Sequence, residues 1–218
     1  MPEKKTITSG KTQWTIIKLI RWATSYLKTH DIDSPRATGE ILLAHVLKFK
    51  RIDLYLNYDQ PLVAEELSTF KMLIKRRIKR EPVAYILGVK EFWYMNLKIT
   101  QDVLIPRPET KCLVEVALNF LSNIPSLQSQ HILDLGTGSG AIALALVSQQ
   151  PQHVYFASDY STKAAELASR NAAQHDFSGR IHFFVGDWLT PLNPEKSGFD
   201  MIVSNPPYIP SQVIGKLQ

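Results

Sequence analysis

The sequence predicts an α/β protein in which a small helical bundle precedes a domain built on a parallel sheet. Three observations carry this. Over roughly the first 80 residues, apolar side chains recur at three- and four-residue spacings. Beyond about residue 130, β-branched and aromatic runs alternate with helical ones. The first of those runs ends in a glycine-rich loop, Gly136 to Gly140, that opens a helix. With 218 residues, 44% of them hydrophobic and 21% charged, the chain has enough apolar material for one large core or two small ones.

Residues 12–29 place Ile16, Ile17, Ile20, Ala23 and Leu27 on one helical face. Ser34 and Pro35 supply a cap and a first turn before a second apolar stripe, Ile41, Leu42, His45 and Val46. His45 is expected as a packed core imidazole. Residues 62–80 read as a longer helix whose basic face is Lys71, Lys75, Arg76, Arg77, Lys79 and Arg80. These helices make up a module over residues 1–88. After Pro82 and Gly88 the texture changes, and FWYMNLKIT and VLIP, separated by turn-forming residues, predict a hairpin within a linker over 89–108. The domain over 109–218 starts with a helix from Glu109 to Leu121. Strands follow at 131–135, 154–159, 181–187 and 199–205, with helices at 139–149 and 161–174 between the first three. Strand and helix in alternation make βαβ units, hence a Rossmann-like parallel sheet.

No run of eighteen apolar residues occurs, and the N-terminal MPEKKTITSGK holds no apolar signal region. A cytoplasmic protein without a membrane partner is expected. The single cysteine, Cys112, has no partner for an internal disulfide; within CLVEVALNFL it is expected as an inert core thiol. The six histidines are scattered, so no metal site and no Ser/His/Asp triad is expected. Charge is uneven: residues 1–90 carry 17 Lys/Arg against 9 Asp/Glu, and residues 91–218 carry 8 against 11. A basic front half suits an RNA-associated or acidic protein partner, although a charge run alone reads as a solvated surface.

The chemistry gathers at the strand ends, where an open parallel sheet binds its ligands. Asp134 ends the first strand and leads into Gly136, Thr137, Gly138, Ser139 and Gly140. A dinucleotide fingerprint has glycine at the next position but tolerates the Ala141 found here. Asp159 ends the second strand, nineteen residues beyond Gly140, where a carboxylate can accept from both hydroxyls of a ribose. Asp187 and Trp188 follow the third strand and offer a carboxylate for an exocyclic adenine amine and an indole to flank a purine. Core packing is the other reading of Trp188. Asn205, Pro206, Pro207 and Tyr208 follow the fourth strand as NPPY. The two prolines end the strand and stiffen the turn. A conjugated amine is a poor nucleophile. The Asn205 oxygen and the Pro206 carbonyl can accept its hydrogens and aim its lone pair at a sulfonium methyl, while Tyr208 stacks on the planar group. In-line positioning and desolvation then supply most of the rate, with no metal or covalent nucleophile. A nicotinamide-linked oxidoreductase has no use for NPPY.

SPRATGEILLAHVL, EPVAYILG, VLIPRPET, DLGTGSGAIALAL, SDYS, GDW and NPPYIPS together make the chain resemble the PrmC/HemK family of protein-(glutamine-N5) methyltransferases over nearly its whole length. The resemblance implies a Rossmann-like class I methyltransferase domain using S-adenosyl-L-methionine. It also implies that the substrate is the GGQ glutamine of class I peptide chain release factors; a monomer is expected. Gly136, Thr137, Gly138, Ser139, Gly140, Asp159, Trp188 and Asn205 would contact the cofactor. Asn205 to Tyr208 would hold the glutamine, and the basic helical module would grip the release factor. Lys111 departs from the acidic residue usual after PET. The chain also ends at Gln218, where the family continues for about three more strands. The expected sheet is therefore partial, in the order 3-2-1-4 with strand four at an edge, and weak cofactor binding with impaired turnover is expected. Two alternatives stay open: an adenine-N6 or guanine-N2 nucleic-acid methyltransferase, and a non-catalytic release-factor-binding fragment.

Overall fold

A computed structural model describes residues 13–124, 128–193 and 198–206. The chain forms two compact units that divide between Leu87 and Gly88.

The first unit is helical: α1 (Ile16–Thr29), α2 (Pro35–Leu47), the short α3 (Asp53–Leu56), α4 (Ala64–Ile78) and α5 (Val83–Leu87). Its core joins Ile16, Leu19, Ala23 and Leu27 of α1 to Leu42 and Leu43 of α2 and Phe70, Leu73 and Ile74 of α4. The expected stripe on α2 is out of phase. The helix buries Leu42, Leu43 and Ala44 with Thr38, Gly39 and Glu40, whereas Ile41 and His45, four apart on the opposite side, face solvent. His45 is therefore not a core imidazole. Pro35 does open α2, but the Ser34 side chain makes no capping bond and its backbone is left-handed.

Glu40 is fully buried and still charged in character. Burial alone would raise its carboxyl; hydrogen bonds from Tyr55, Arg36 and Arg51 outweigh that and hold it below the usual range. They arrive at 2.6 Å from Tyr55 Oη, 2.8 Å from Arg36 Nε and 2.7 Å from Arg51 Nε, tying α2 to α3. The basic face of α4 splits by task. Arg76 pairs with Glu81 and donates to the carbonyls of Tyr85 and Ile86, Arg77 donates to the Glu81 carbonyl, and Arg80 donates to that of Asp31. Lys71, Lys75 and Lys79, one helical turn apart, are exposed.

The second unit opens with a hairpin, β1 (Val89–Phe92) and β2 (Met95–Lys98). Its pairs run from Val89 with Lys98 to Phe92 with Met95. The turn falls on Trp93 and Tyr94, both left-handed at φ 49° and 64°, the two-residue geometry that matches strand twist. The arms are thus VKEF and MNLK, while VLIP lies outside any strand. Two bulky aromatics at the turn carry no compositional turn signal, which is why the expected arms lie C-terminal of the observed ones.

Helix α6 (Thr110–Ser122) precedes β3 (His131–Leu135), α7 (Ala141–Gln149), β4 (Val154–Asp159), α8 (Thr162–Gln174), β5 (Ile181–Val185) and β6 (Met201–Ser204). The strands form one parallel sheet in the order β5-β4-β3-β6, the arrangement expected from the sequence. Helix α7 is buried all along AIALALV, as an apolar helix packed on a sheet must be. Helix α6 buries Thr110, Val114, Ala117 and Leu121. Cys112 falls outside that stripe and is exposed, which corrects its expected place in the core. Among the described residues β6 is an edge strand, and its Ile202 lies beside the exposed Val116 and Phe120 of α6.

Candidate active site

At the carboxyl end of the sheet, the loop after β3 is held from three sides. Gly136 and Thr137 donate their N–H groups to the Ser158 carbonyl at 2.9 and 2.8 Å, and Gly140 donates to the Thr137 carbonyl at 2.9 Å. Asp159 at the end of β4 accepts Gly138 N–H at 2.9 Å with Oδ2 and Ser161 N–H at 2.9 Å with Oδ1. Each oxygen keeps lone-pair capacity for a further donor. Beneath the loop, Asp134 Oδ2 accepts the Thr137 hydroxyl at 2.7 Å and Ala143 N–H at 3.1 Å. Burial pushes the Asp134 carboxyl up to about 6; those two hydrogen bonds oppose the shift and the charge of Asp159 adds to it.

A third anchor comes from α8. Asn171 is fully buried and spends its whole carboxamide: Nδ2 donates to the carbonyls of Ser139 at 2.9 Å and Lys98 at 3.1 Å, and Oδ1 accepts Lys98 N–H at 2.8 Å. The glycine loop and the hairpin are thereby locked to the same side chain.

Above the loop lies a cavity of about 860 Å³. Gly136, Gly138, Asp159, Asp187, Trp188, Asn205 and Pro206 all border it, so side chains and backbone from the ends of four strands meet in one place. Trp188 is 56% exposed at its rim, which excludes the core-packing reading of this indole. Thr137 and Ser139 border a narrow adjoining recess with Thr110 and Asn205. Gly140 borders neither space. It starts α7 at φ 83°, and a Cβ there would lie 3.2 Å from the side chains of Ala168 and Leu144, so close packing also requires a glycine there. Pro207 and Tyr208 lie outside the described residues.

Ser158 and Asn171, which carry no motif, and Thr110, the last residue of VLIPRPET, also belong to this constellation. Ser158 borders the cavity with a buried hydroxyl that has no hydrogen-bond partner among the described residues, and its place one residue before Asp159 on the strand end is the available signal. Thr110 and Asn171 act through long-range bonds that no local pattern announces.

Residues 18–88 match the PrmC N-terminal domain, and residues 115–215 match the methyltransferase small domain. Among curated proteins, the chain is 39% identical to a release factor glutamine methyltransferase of Chlorobaculum tepidum, over 100% of this chain and 73% of that protein. It is 41% identical to one from Geobacter sulfurreducens, over 94% and 69%, and 45% identical to one from Coxiella burnetii, over 82% and 62%. The chain thus spans between about three fifths and three quarters of the length of these relatives.

Proposed function

The chain belongs to the release factor glutamine methyltransferase family, and we propose that it transfers a methyl group from S-adenosyl-L-methionine to the side-chain amide nitrogen, N5, of the GGQ glutamine of a class I release factor. The observation that carries the reading is that Asn205 and Pro206 border the same cavity as Gly136, Gly138 and Asp159. An amide-holding group and a nucleoside-holding group share one space.

The residues around the cavity fit the cofactor. The Ser158 hydroxyl, without a hydrogen-bond partner among the described residues, and the spare acceptor capacity of Asp159 suit a polyhydroxylated ligand. Gly136 and Gly138 adopt left-handed backbones, and a Cβ on either would project into open space beside the cavity and not into protein. The volume is that of a site for a ligand of this size. In this reading Asp159 accepts the ribose hydroxyls, Asp187 accepts the adenine amine, Trp188 flanks the ring, and the loop from Gly136 to Ser139 backs the remainder.

When bound, the cofactor supplies a methyl group on a positively charged sulfur that leaves as a neutral thioether. The chain's task is to make an amide nitrogen attack. Asn205 Oδ1 and the Pro206 carbonyl accept the two N–H hydrogens and hold the nitrogen with its lone pair along the line of attack, so that entropy and solvent reorganisation are met before reaction. Methylation would leave the nitrogen with one proton to shed, and with no base required of the chain that proton would go to water. The exposed lysines of α4 suit electrostatic steering of an acidic protein surface. A substrate that works on the ribosome sets the proposed compartment, the cytoplasm.

The test is transfer of radiolabelled methyl to a purified release factor, to its GGQ Gln→Ala variant and to total RNA. Label on the unmodified factor alone is expected. Label on RNA in preference to the factor would overturn the reading in favour of a nucleic-acid amino methyltransferase.

A further inference from the structure

Asn205 is held by a residue far from it in sequence. Its Nδ2 donates to Thr110 Oγ1 at 2.9 Å, across 95 positions. Among the described residues Thr110 is the hydrogen-bond partner of the Asn205 side chain. Thr110 is buried in the first turn of α6, where its own N–H is satisfied by the Arg107 carbonyl at 3.1 Å. It is delivered by a segment stiffened at Pro106 and Pro108, and both it and Pro106 border the recess that Asn205 shares. VLIPRPET and NPPY, two motifs far apart in the chain, meet through this bond.

A carboxamide carries a donor NH₂ at one end and an acceptor oxygen at the other. We infer that Thr110 is the positioning residue that holds the Asn205 carboxamide at the recess. With Nδ2 on Thr110, Oδ1 is the end left to accept an N–H. This inference rests on the glutamine-methylation reading, in which the attacking nitrogen carries two such hydrogens. Without the hydroxyl the carboxamide is free to rotate, and the nitrogen loses the contact that aims it.

The experiment compares wild-type protein with Thr110→Val, which keeps the side-chain shape and removes the hydroxyl, and with Thr110→Ser, which keeps the hydroxyl. Each is given the release factor as methyl acceptor. S-adenosylhomocysteine affinity by calorimetry and the thermal midpoint report on the cofactor side and on folding. For Thr110→Val we expect kcat to fall roughly ten- to hundredfold, with S-adenosylhomocysteine affinity within about threefold of wild type, and Thr110→Ser restores kcat. Retention of the wild-type kcat in Thr110→Val would overturn the inference. So would parallel loss of S-adenosylhomocysteine affinity and of the thermal midpoint, because the residue would then be structural. Failure of both this chain and a C-terminally extended one to label the glutamine factor removes the proposed function itself, an outcome visible before any Thr110 variant is made.

Discussion

Asp159 Oδ2 accepts the backbone N–H of Gly138 at 2.9 Å, so the carboxylate proposed to hold a ribose also fixes the loop proposed to back the rest of the cofactor. Removing it should cost more than one ligand contact. For Asp159→Ala, calorimetric titration with S-adenosylhomocysteine is expected to show an affinity loss of about a hundredfold or more, from a missing charge-assisted acceptor and a loosened loop together. An affinity within threefold of wild type would remove Asp159 from the site.

Gly138 and Gly140 separate binding from packing. Both are left-handed, at φ 56° and 83°, so alanine at either is strained by about 1–2 kcal/mol. Beyond that, Gly140→Ala pushes a Cβ to 3.2 Å from Ala168 and Leu144, whereas Gly138→Ala meets nothing within 4 Å. We expect Gly140→Ala to lose the more stability in urea unfolding, and Gly138→Ala to lose the more S-adenosylhomocysteine affinity, by tenfold or more. The reverse order would place Gly138 outside the ligand space.

The buried Asp134 carboxyl links stability to pH. Its value in the fold, about 6, exceeds the ordinary 3.8, so the folded protein holds this proton more tightly than the unfolded chain does. The associated stability is complete below about pH 4 and is lost as pH rises through about 6, a change on the order of 3 kcal/mol. Asp134→Asn keeps an oxygen for the Thr137 hydroxyl and Ala143 N–H while abolishing the titration. Denaturant unfolding across pH 4 to 7 should therefore be flatter in the variant than in wild type, and superimposable profiles would show that Asp134 titrates normally.

On α4 the charges divide by function. Replacing Lys71, Lys75 and Lys79 together by glutamate should raise KM for the release factor about tenfold at low salt with kcat nearly unchanged, and the difference should fade at high salt. Arg76→Glu should instead lower the thermal midpoint, since it breaks the pair with Glu81 and the bonds to the Tyr85 and Ile86 carbonyls. Equal KM for the triple-lysine variant and wild type would move the docking surface elsewhere.

Local pattern carried the reading of the sheet. HILDL, VYFASD, IHFFV and MIVS are β-branched or aromatic runs of strand length, and helical runs separate the first three. The places where the reading failed share a cause. His45 and Cys112 sit among apolar neighbours, but burial on a helix depends on phase, and one residue of rotation moves a side chain by about 100°. Trp93 and Tyr94 turn the hairpin although neither is a turn residue by composition, because pairing of the flanking arms overrides local preference.

The sequence by itself determined which groups arrive at the carboxyl ends of the strands: Gly136 to Gly140, Asp159, Asp187 with Trp188, and Asn205 with Pro206. A parallel βαβ chain has no other place to put residues that follow each strand. Tertiary structure decided how those groups are held: Gly138 by Asp159, Ser139 by Asn171, and Asn205 by Thr110. A hydrogen bond is specified by distance and angle between atoms that lie as far as 95 positions apart in the chain, and only the folded backbone fixes both.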